Sequence, residues 1–419
     1  MAASIRIGII GCGRILPAVL RGLRLLREAG EDGFRITALC ARKIEDAQMF
    51  RRRGEGPPPR EPVSRMPADP LSAPHVYVSE FQPEVLPELF TDHRAMLRAG
   101  AVDAALILST VATHHSIGQD CLDAGVDILV EKPLAISVRA GSGLVEAARR
   151  AGRTLCTAEV ARYRPETRAA HWAVQGGRIG RLQAVIGGGV GAGDWSPDRV
   201  VAGTPWRHQK LLAGGGSCID IGPHRFHVLR YVGGEIAEVS GVTAIAEPVR
   251  VTRGADGAVA ASVANEVDDL FFALLRFEGG AVGQIGFSWA GHGQQQTLPL
   301  SYYGSLGSLA GRTLTPDGGA TADVWQAFER EADPALRARW FPAGLRDGFA
   351  LEILDWLETI RGRKTSETSG EAGLRDLAIS FAVIESSLAR RWVQVSEVES
   401  GAVDAYQRPI DEHYGLRGG

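Results

Sequence analysis

Three groups of residues in this 419-residue chain have types and spacings suited to chemistry. Residues 128–135 read ILVEKPLA, an apolar run that ends in Glu131 and Lys132 just before Pro133. Both charged groups are costly to desolvate. A strand that delivers them to its end either leaves them at a solvated edge or presents them to a ligand. The second group lies in LLAGGGSCIDIGPHRFHVLRYVGG, residues 211–234. Asp220 and His224 stand four apart there and share one face if the segment is helical. Such a pair can hold and move a proton, or it can be structural. The third is GCGRIL, residues 11–16, where Gly11 and Gly13 let the backbone approach an anion at a helix N-terminus, with Arg14 and Ile15 following in the same turn. Leu16 occupies the place of the third glycine in a dinucleotide fingerprint, so a simple tight turn is the alternative.

Alternating strands and helices must position these groups. IRIGII (5–10) is followed by a helical pattern with Leu16, Leu20, Leu23 and Leu26 on one stripe. FRITALC (34–40), AALILST (104–110) and DILV (127–130) read as further strands, with helices in HHSIGQDCLDAG and SVRAGSGLVEAARRAG. Continuous apolar strands alternating with helices predict a parallel sheet covered on both faces. Open sheets of that kind bind ligands at the carboxyl ends of their strands. Ser109, Thr110, Glu131 and Lys132 belong to that edge, as does one of His114 and His115, the other capping the helix or meeting solvent. At the end of the second strand, where a dinucleotide site carries an acid for the ribose 2′-OH, Ala41 stands instead, followed by Arg42 and Lys43. That exchange favours NADP over NAD, with Arg42 on the 2′-phosphate; otherwise Arg42 is a solvated helix-start residue or stacks on the adenine.

The rhythm breaks at residues 53–89, which contain GEGPPPREPVSRMPADPLSAP. No regular element is expected there before about residue 76, and the segment reads as an insertion, either a surface loop or an arm onto a partner subunit. After about residue 155, strand-like stretches follow one another without intervening helices, predicting a largely antiparallel sheet. The expected division is 1–154 for a dinucleotide-binding domain, 155–398 for a substrate-binding and oligomerisation α+β domain, and 399–419 for a C-terminal tail.

Composition bounds the rest. Lys plus Arg total 46 against 49 Asp plus Glu, so the chain offers no global electrostatic support for a nucleic-acid or membrane-surface partner. The apolar fraction of 45% fits soluble domains with sizeable cores, and no apolar run reaches the roughly 18 residues of a membrane helix. The five scattered cysteines suit buried thiols in a reducing compartment, so a cytoplasmic location is expected. His227 makes HxxH with His224, but no neighbouring carboxylate or cysteine cluster has a metal-ligand spacing, and no metal is expected.

Taken together, GIIGCGRI, STVATHHSIGQDCLDAGVDILVEKPLA, RYRP (162–165), PWRHQKLLAGGGSCIDIGPH and YYGSLGSLAG (302–311) resemble the Gfo/Idh/MocA family of nicotinamide-dependent sugar and cyclitol oxidoreductases. The resemblance spans nearly the whole chain except the proline-rich insertion and the residues after about 398. It implies a Rossmann domain followed by an α+β domain, with Lys132 facing the nicotinamide and the substrate hydroxyl, Asp220 and His224 completing the site, and a cis Lys132–Pro133 peptide. His115 takes the histidine position of the turn after the third strand, where Thr110-Val111-Ala112 departs from the family's usual TPN. His227 replaces a frequent Asp. Arg162, Tyr163, Trp206, Arg207 and His208 are candidates for the substrate pocket, each with a structural role as its alternative. The implied activity is hydride transfer between a nicotinamide and a sugar or polyol in a homodimer or homotetramer. The rivals are a glycosidase that oxidises its substrate transiently with a retained nicotinamide, and a non-catalytic ligand sensor.

Overall fold

The structure, a computed structural model, describes residues 4–62, 64–67, 69–191, 204–254 and 256–417. The chain forms two compact units: Met1–Ile136, Ala140–Val160 and Leu345–Gly373 make the first, and Ser137–Arg139, Ala161–Gly344 and Leu374–Gly419 the second.

The first unit is built on strands β1 (Ile5–Ile10), β2 (Phe34–Cys40), β3 (Glu88–Phe90), β4 (Ala104–Ile107), β5 (Asp127–Glu131) and β6 (Leu155–Ala158). They pair in parallel in the order β3-β2-β1-β4-β5-β6. This is a doubly wound sheet whose strand order reverses between β1 and β4. Ile7, Ile9, Leu106 and Leu129 are almost wholly buried, as strands covered on both faces require. Helix α1 (Leu16–Glu28) turns Leu16, Leu20, Leu23 and Leu26 inward. It packs against the helix Gly348–Ile360, and a Cβ at Gly22 would lie 2.9 Å from the Ala350 nitrogen. That close packing explains why residues 345–373, which the sequence places after 155 with the second domain, belong to the first unit.

The proline-rich insertion folds back on the first unit. Before residue 76 its regular structure among the described residues is a single 3-10 turn, Pro70–Ser72. Val76, Tyr77 and Val78 are buried, and the His75 ring lies 4.6 Å from both the Phe50 and the Tyr77 rings. The wholly buried Gln82 side chain extends the edge of β2, accepting from Ile36 N and donating to Ile36 O, each at 2.8 Å. Gln82 thereby satisfies backbone groups that β3, only three residues long, does not reach.

The second unit contains a mixed nine-stranded sheet. Its strands are β7 (Leu182–Val190), β8 (Ile236–Ala244), β11 (Leu270–Phe277), β12 (Val282–Ser288), β13 (Gln296–Gly304), β14 (Gly307–Ala310), β15 (Thr313–Pro316), β16 (Ala322–Asp323) and β17 (Val393–Gln394), with β9 (Val249–Arg253) and β10 (Val259–Ala264) forming a separate hairpin. All neighbours are antiparallel except β7 and β12. β11 alternates strictly: Phe271, Ala273, Leu275 and Phe277 are buried, while Phe272 and Leu274 are exposed. The buried Arg250–Asp269 pair, 2.8 Å apart, ties the β9–β10 hairpin to the start of β11. The segment expected as a tail is packed: Ile410 is fully buried, and Asp411 accepts from Ser137 Oγ at 2.6 Å.

Candidate active site

In the first unit, Gly11 has φ +111°, and a Cβ there would meet the Leu108 carbonyl at 2.6 Å. A side chain is therefore excluded, and the turn from β1 lies tight on β4. Gly13 is the opposite case, with nothing within 4 Å of the position a Cβ would take, so a ligand can approach its backbone. Helix α1 begins directly beyond. Ile15 caps it without a side-chain hydrogen bond and its first turn carries no acid; Pro17 has no N–H and Ala18 N donates to Ile15 O, so the turn's own N–H groups before Pro17 and the positive dipole end face an anion. These features fit the pyrophosphate of a dinucleotide. Leu16 is fully buried, so a core side chain stands where the fingerprint has its third glycine. Ala41 is buried at the end of β2, with Arg42 and Lys43 exposed beside it.

β5 carries Glu131 as its last residue, and the half-buried Lys132 follows at the carboxyl edge of the sheet, joined to Pro133 by a cis peptide. Behind it, the buried His114 ring places Nδ1 2.9 Å from Pro133 O and Nε2 3.0 Å from Ser109 O. His114 thus ties the end of β4 to the residue after Lys132. Burial pushes its pKa down although both carbonyls favour the protonated ring. His115 is half-buried and likewise lowered by burial. Ser109 Oγ accepts from Thr113 Oγ1 at 2.9 Å, and Thr110 is the N-cap of the helix Val111–Asp123. Glu352, from the helix Gly348–Ile360, is buried and held well above the ordinary carboxyl range, first by desolvation and then by the charges of Glu131 and Glu159. The sequence gives no cue to this carboxyl, because it arrives from a helix far along the chain.

In the second unit, the glycine run at 214–216 is fixed by close contacts. A Cβ at Gly215 would lie 2.3 Å from Ile219 Cγ1, and one at Gly216 would overlap the Asp268 carbonyl. The buried Asp268 carboxylate accepts from Gly216 N (2.9 Å), Ser217 Oγ (2.9 Å) and Cys218 N (2.7 Å). Sequence reasoning missed Asp268, although an acid just ahead of a strand, opposite a glycine run with free N–H groups, is a signal of this kind. Asp220 ends the short helix Ser217–Asp220, and His224 lies in the first turn of the helix Gly222–Gly233. Ile221 between them stays near helical geometry (φ −102°, ψ −32°), which keeps Asp220 and His224 about one turn apart despite Pro223.

Asp220 Oδ2 accepts from Arg207 Nη1 at 2.6 Å, and the Arg207 guanidinium lies 4.6 Å from the Trp206 ring centroid. The structure thus joins two of the proposed substrate-pocket residues to Asp220. Arg162 lies 3.8 Å from the Tyr231 ring centroid. Tyr163 and His208 are fully buried, Tyr163 beneath the Arg168 guanidinium, which favours the structural alternative held open for each. His227 is buried too, its Nδ1 2.6 Å from Asp376, which also accepts from Arg230 at 2.6 Å.

A doubly wound sheet with an anion-binding turn after β1 and a lysine at the end of β5 defines a dinucleotide-binding oxidoreductase domain. Residues 5–159 match the family model described as "Oxidoreductase family, NAD-binding Rossmann fold", and residues 167–310 match "GFO/IDH/MocA C-terminal domain". The chain belongs to the Gfo/Idh/MocA family. Its curated relatives include levoglucosan dehydrogenase of Pseudarthrobacter phenanthrenivorans, 26% identical over 74% of this chain and 84% of that protein. Another is the 1,5-anhydro-D-fructose reductase of Ensifer adhaerens, 29% identical over 72% and 81%. Among solved structures, an oxidoreductase domain protein from Kribbella flavida superposes with TM-score 0.73 at 23% identity, covering 94% of this chain and all of that one. A levoglucosan dehydrogenase in complex with NADH and levoglucosan gives 0.70 at 19%, covering 93% and 99%.

Proposed function

We propose that the protein transfers a hydride between a nicotinamide dinucleotide and a secondary alcohol or ketone of a sugar, sugar derivative or polyol. The observation that carries this reading is Lys132 at the carboxyl edge of the parallel sheet, with His114 hydrogen-bonded to the carbonyl of the next residue, Pro133. A bound nicotinamide supplies the hydride acceptor or donor. The chain supplies the proton chemistry and the charge. Lys132 stabilises negative charge developing on the substrate oxygen, and His224 takes the hydroxyl proton in oxidation and returns it in reduction. Asp220, paired with Arg207, serves to orient or to share protons. The curated relatives named for anhydrosugar and sugar oxidoreductions support the substrate class. A screen of sugars and polyols that follows reduced-nicotinamide absorbance tests the proposal. Cleavage of a glycoside with no net change in that absorbance replaces it with a glycosidase using a retained cofactor.

NADP is the favoured cofactor. No carboxylate stands at the end of β2, and the exposed Arg42 has no ionic partner among the described residues. Arg42→Ala is expected to weaken NADP about tenfold and NAD less than about threefold, read by nucleotide titration. Equal losses overturn the 2′-phosphate assignment.

A homo-oligomer is supported by one face of the second unit's sheet, where Ile186, Val242, Phe272, Leu274, Leu298 and Tyr303 are all exposed. Strand pairing sets Phe272 opposite Val242, and continues across the sheet to Leu298 on the same face. Apolar surface of this kind marks an interface. Phe272→Glu with Leu274→Lys is expected to yield monomers by light scattering; an unchanged mass sinks the assignment. The five buried free cysteines support a reducing, cytoplasmic setting, and no helix among the described residues is long and apolar enough to cross a membrane.

A further inference from the structure

The proline-rich insertion does more than pack. Its Arg60 reaches the glycine turn, where Nη1 donates to Cys12 O at 3.0 Å. Its Nη2 pairs with Asp46, in the first turn of the helix Ile44–Arg51. One guanidinium therefore bridges the turn after β1 and the helix that follows β2, with three of its five N–H donors lacking a protein acceptor among the described residues. From the other wall, Arg14 Nη1 donates to Glu61 O of the insertion at 2.9 Å, and Arg14 has no carboxylate partner among the described residues. Arg14 and Arg60 are close enough that Arg60's charge adds to the burial lowering the Arg14 pKa.

In a doubly wound sheet the pyrophosphate sits on the turn after β1, and the adenosine ribose lies toward the end of β2. The gap that Arg60 spans joins those two places. Arg14, Arg60 and Glu61 line it together with Gly13; Arg42 and Lys43 precede the helix that carries Asp46, and the carboxylates of these segments are Glu45, Asp46 and Glu61. Asp46 is the one that pairs with Arg60; Glu45 and Glu61 are exposed, and Glu61 meets Arg14 through its backbone carbonyl rather than its carboxylate.

We propose that Arg60, carried by the insertion, is a cofactor-binding residue that recognises the ribose 2′-phosphate, and that the phosphate takes over from Asp46 as its anionic partner. This rests on the dinucleotide reading above. The insertion is then a specificity element of the nucleotide site. It adds from a loop a second guanidinium to the charge that Arg42 places at the end of β2, and a planar guanidinium suits the fork geometry of a phosphate.

The test is a calorimetric or fluorescence titration of the full-length protein with NADP+, NAD+, 2′,5′-ADP and ADP. Arg60→Ala is expected to weaken NADP+ and 2′,5′-ADP at least about tenfold and NAD+ and ADP less than about threefold. Asp46→Asn, which removes the competing carboxylate, is expected to strengthen 2′,5′-ADP at least about threefold and leave ADP unchanged. An Arg60 that merely holds the insertion down would weaken all four ligands alike, and that outcome overturns the proposal, as does no loss at all. If Arg60→Ala does not fold, Asp46→Asn and Arg60→Lys carry the same comparison of phosphorylated with unphosphorylated ligands. Wild-type protein that binds NAD+ and ADP but not their 2′-phosphorylated forms overturns the Arg60 assignment and the NADP preference and leaves the dinucleotide reading standing. Wild-type protein that binds none of the four removes the cofactor reading itself.

Discussion

Replacing Lys132 with alanine is expected to lower turnover at least about a hundredfold, the scale for a group that stabilises charge and assists proton transfer at the reacting centre. Nucleotide affinity is expected to stay within about threefold of wild type, because the glycine turn and the N-terminus of α1 lie on other elements. The two readouts separate chemistry from binding: steady-state rates at saturating cofactor for the first, direct titration of cofactor for the second. Lys132→Arg keeps the positive charge but changes its shape and donor geometry, so it is expected to recover part of the rate at most. Near-normal turnover in Lys132→Ala removes Lys132 from the mechanism. Parallel loss of nucleotide affinity makes it a cofactor anchor instead.

Asp268→Ala is the second large effect, and it is one of stability. The side chain is buried and accepts three hydrogen bonds from consecutive residues of the glycine run, two of them from backbone N–H groups. Burial raises its pKa, and the same three donors pull it back toward the carboxylate. Removing the carboxylate leaves these donors buried and unmatched, at a cost of roughly 1–3 kcal/mol for each lost partner, so a loss of at least about 3 kcal/mol is expected. Backbone adjustment at residues 216–218 is blocked, since Gly216 already lies against the Asp268 backbone more closely than any Cβ allows. The same run leads directly into Asp220, so activity should fall further than the folded fraction does. Denaturant unfolding checks the first statement and rates below the transition the second. A variant within about 1 kcal/mol of wild type shows that these donors find water or other acceptors.

Much of the fold is legible in the sequence because its signals are local. The continuous apolar strands of the first unit and the alternation in LFFALLRF encode parallel and antiparallel environments within a few residues. Gly11 and Lys132 are legible for the same reason, each sitting at a strand end with a distinctive neighbour. What escapes depends on contacts far apart in sequence. Asp268 acts on residues about 50 positions earlier, and Glu352 is a carboxyl buried beside Glu131 from a helix more than 200 residues on. The burial of Tyr163 and His208 is not legible either, because proximity in sequence to a motif says nothing about burial. The prolines of the insertion suggest a loose loop, yet its packing is set by single side chains such as Gln82 and Arg60 that meet backbone groups elsewhere.

The helix Gly348–Ile360 has a consequence for how the protein is made. It covers the inward face of α1 with Phe349, Ala350, Ile353, Trp356 and Leu357, all buried in one cluster with Leu20, Leu23 and Leu26. N-terminal domains ordinarily fold first as a chain emerges from the ribosome. Here that order is broken, since the first nucleotide-binding strand is finished early in synthesis but the face beside it stays uncovered until residue 360 has been made. A fragment cut at residue 160 would lack the cover that this helix places on α1 around Gly22. Strands β7 to β16 of the second unit therefore have to be translated before the nucleotide unit receives its last wall.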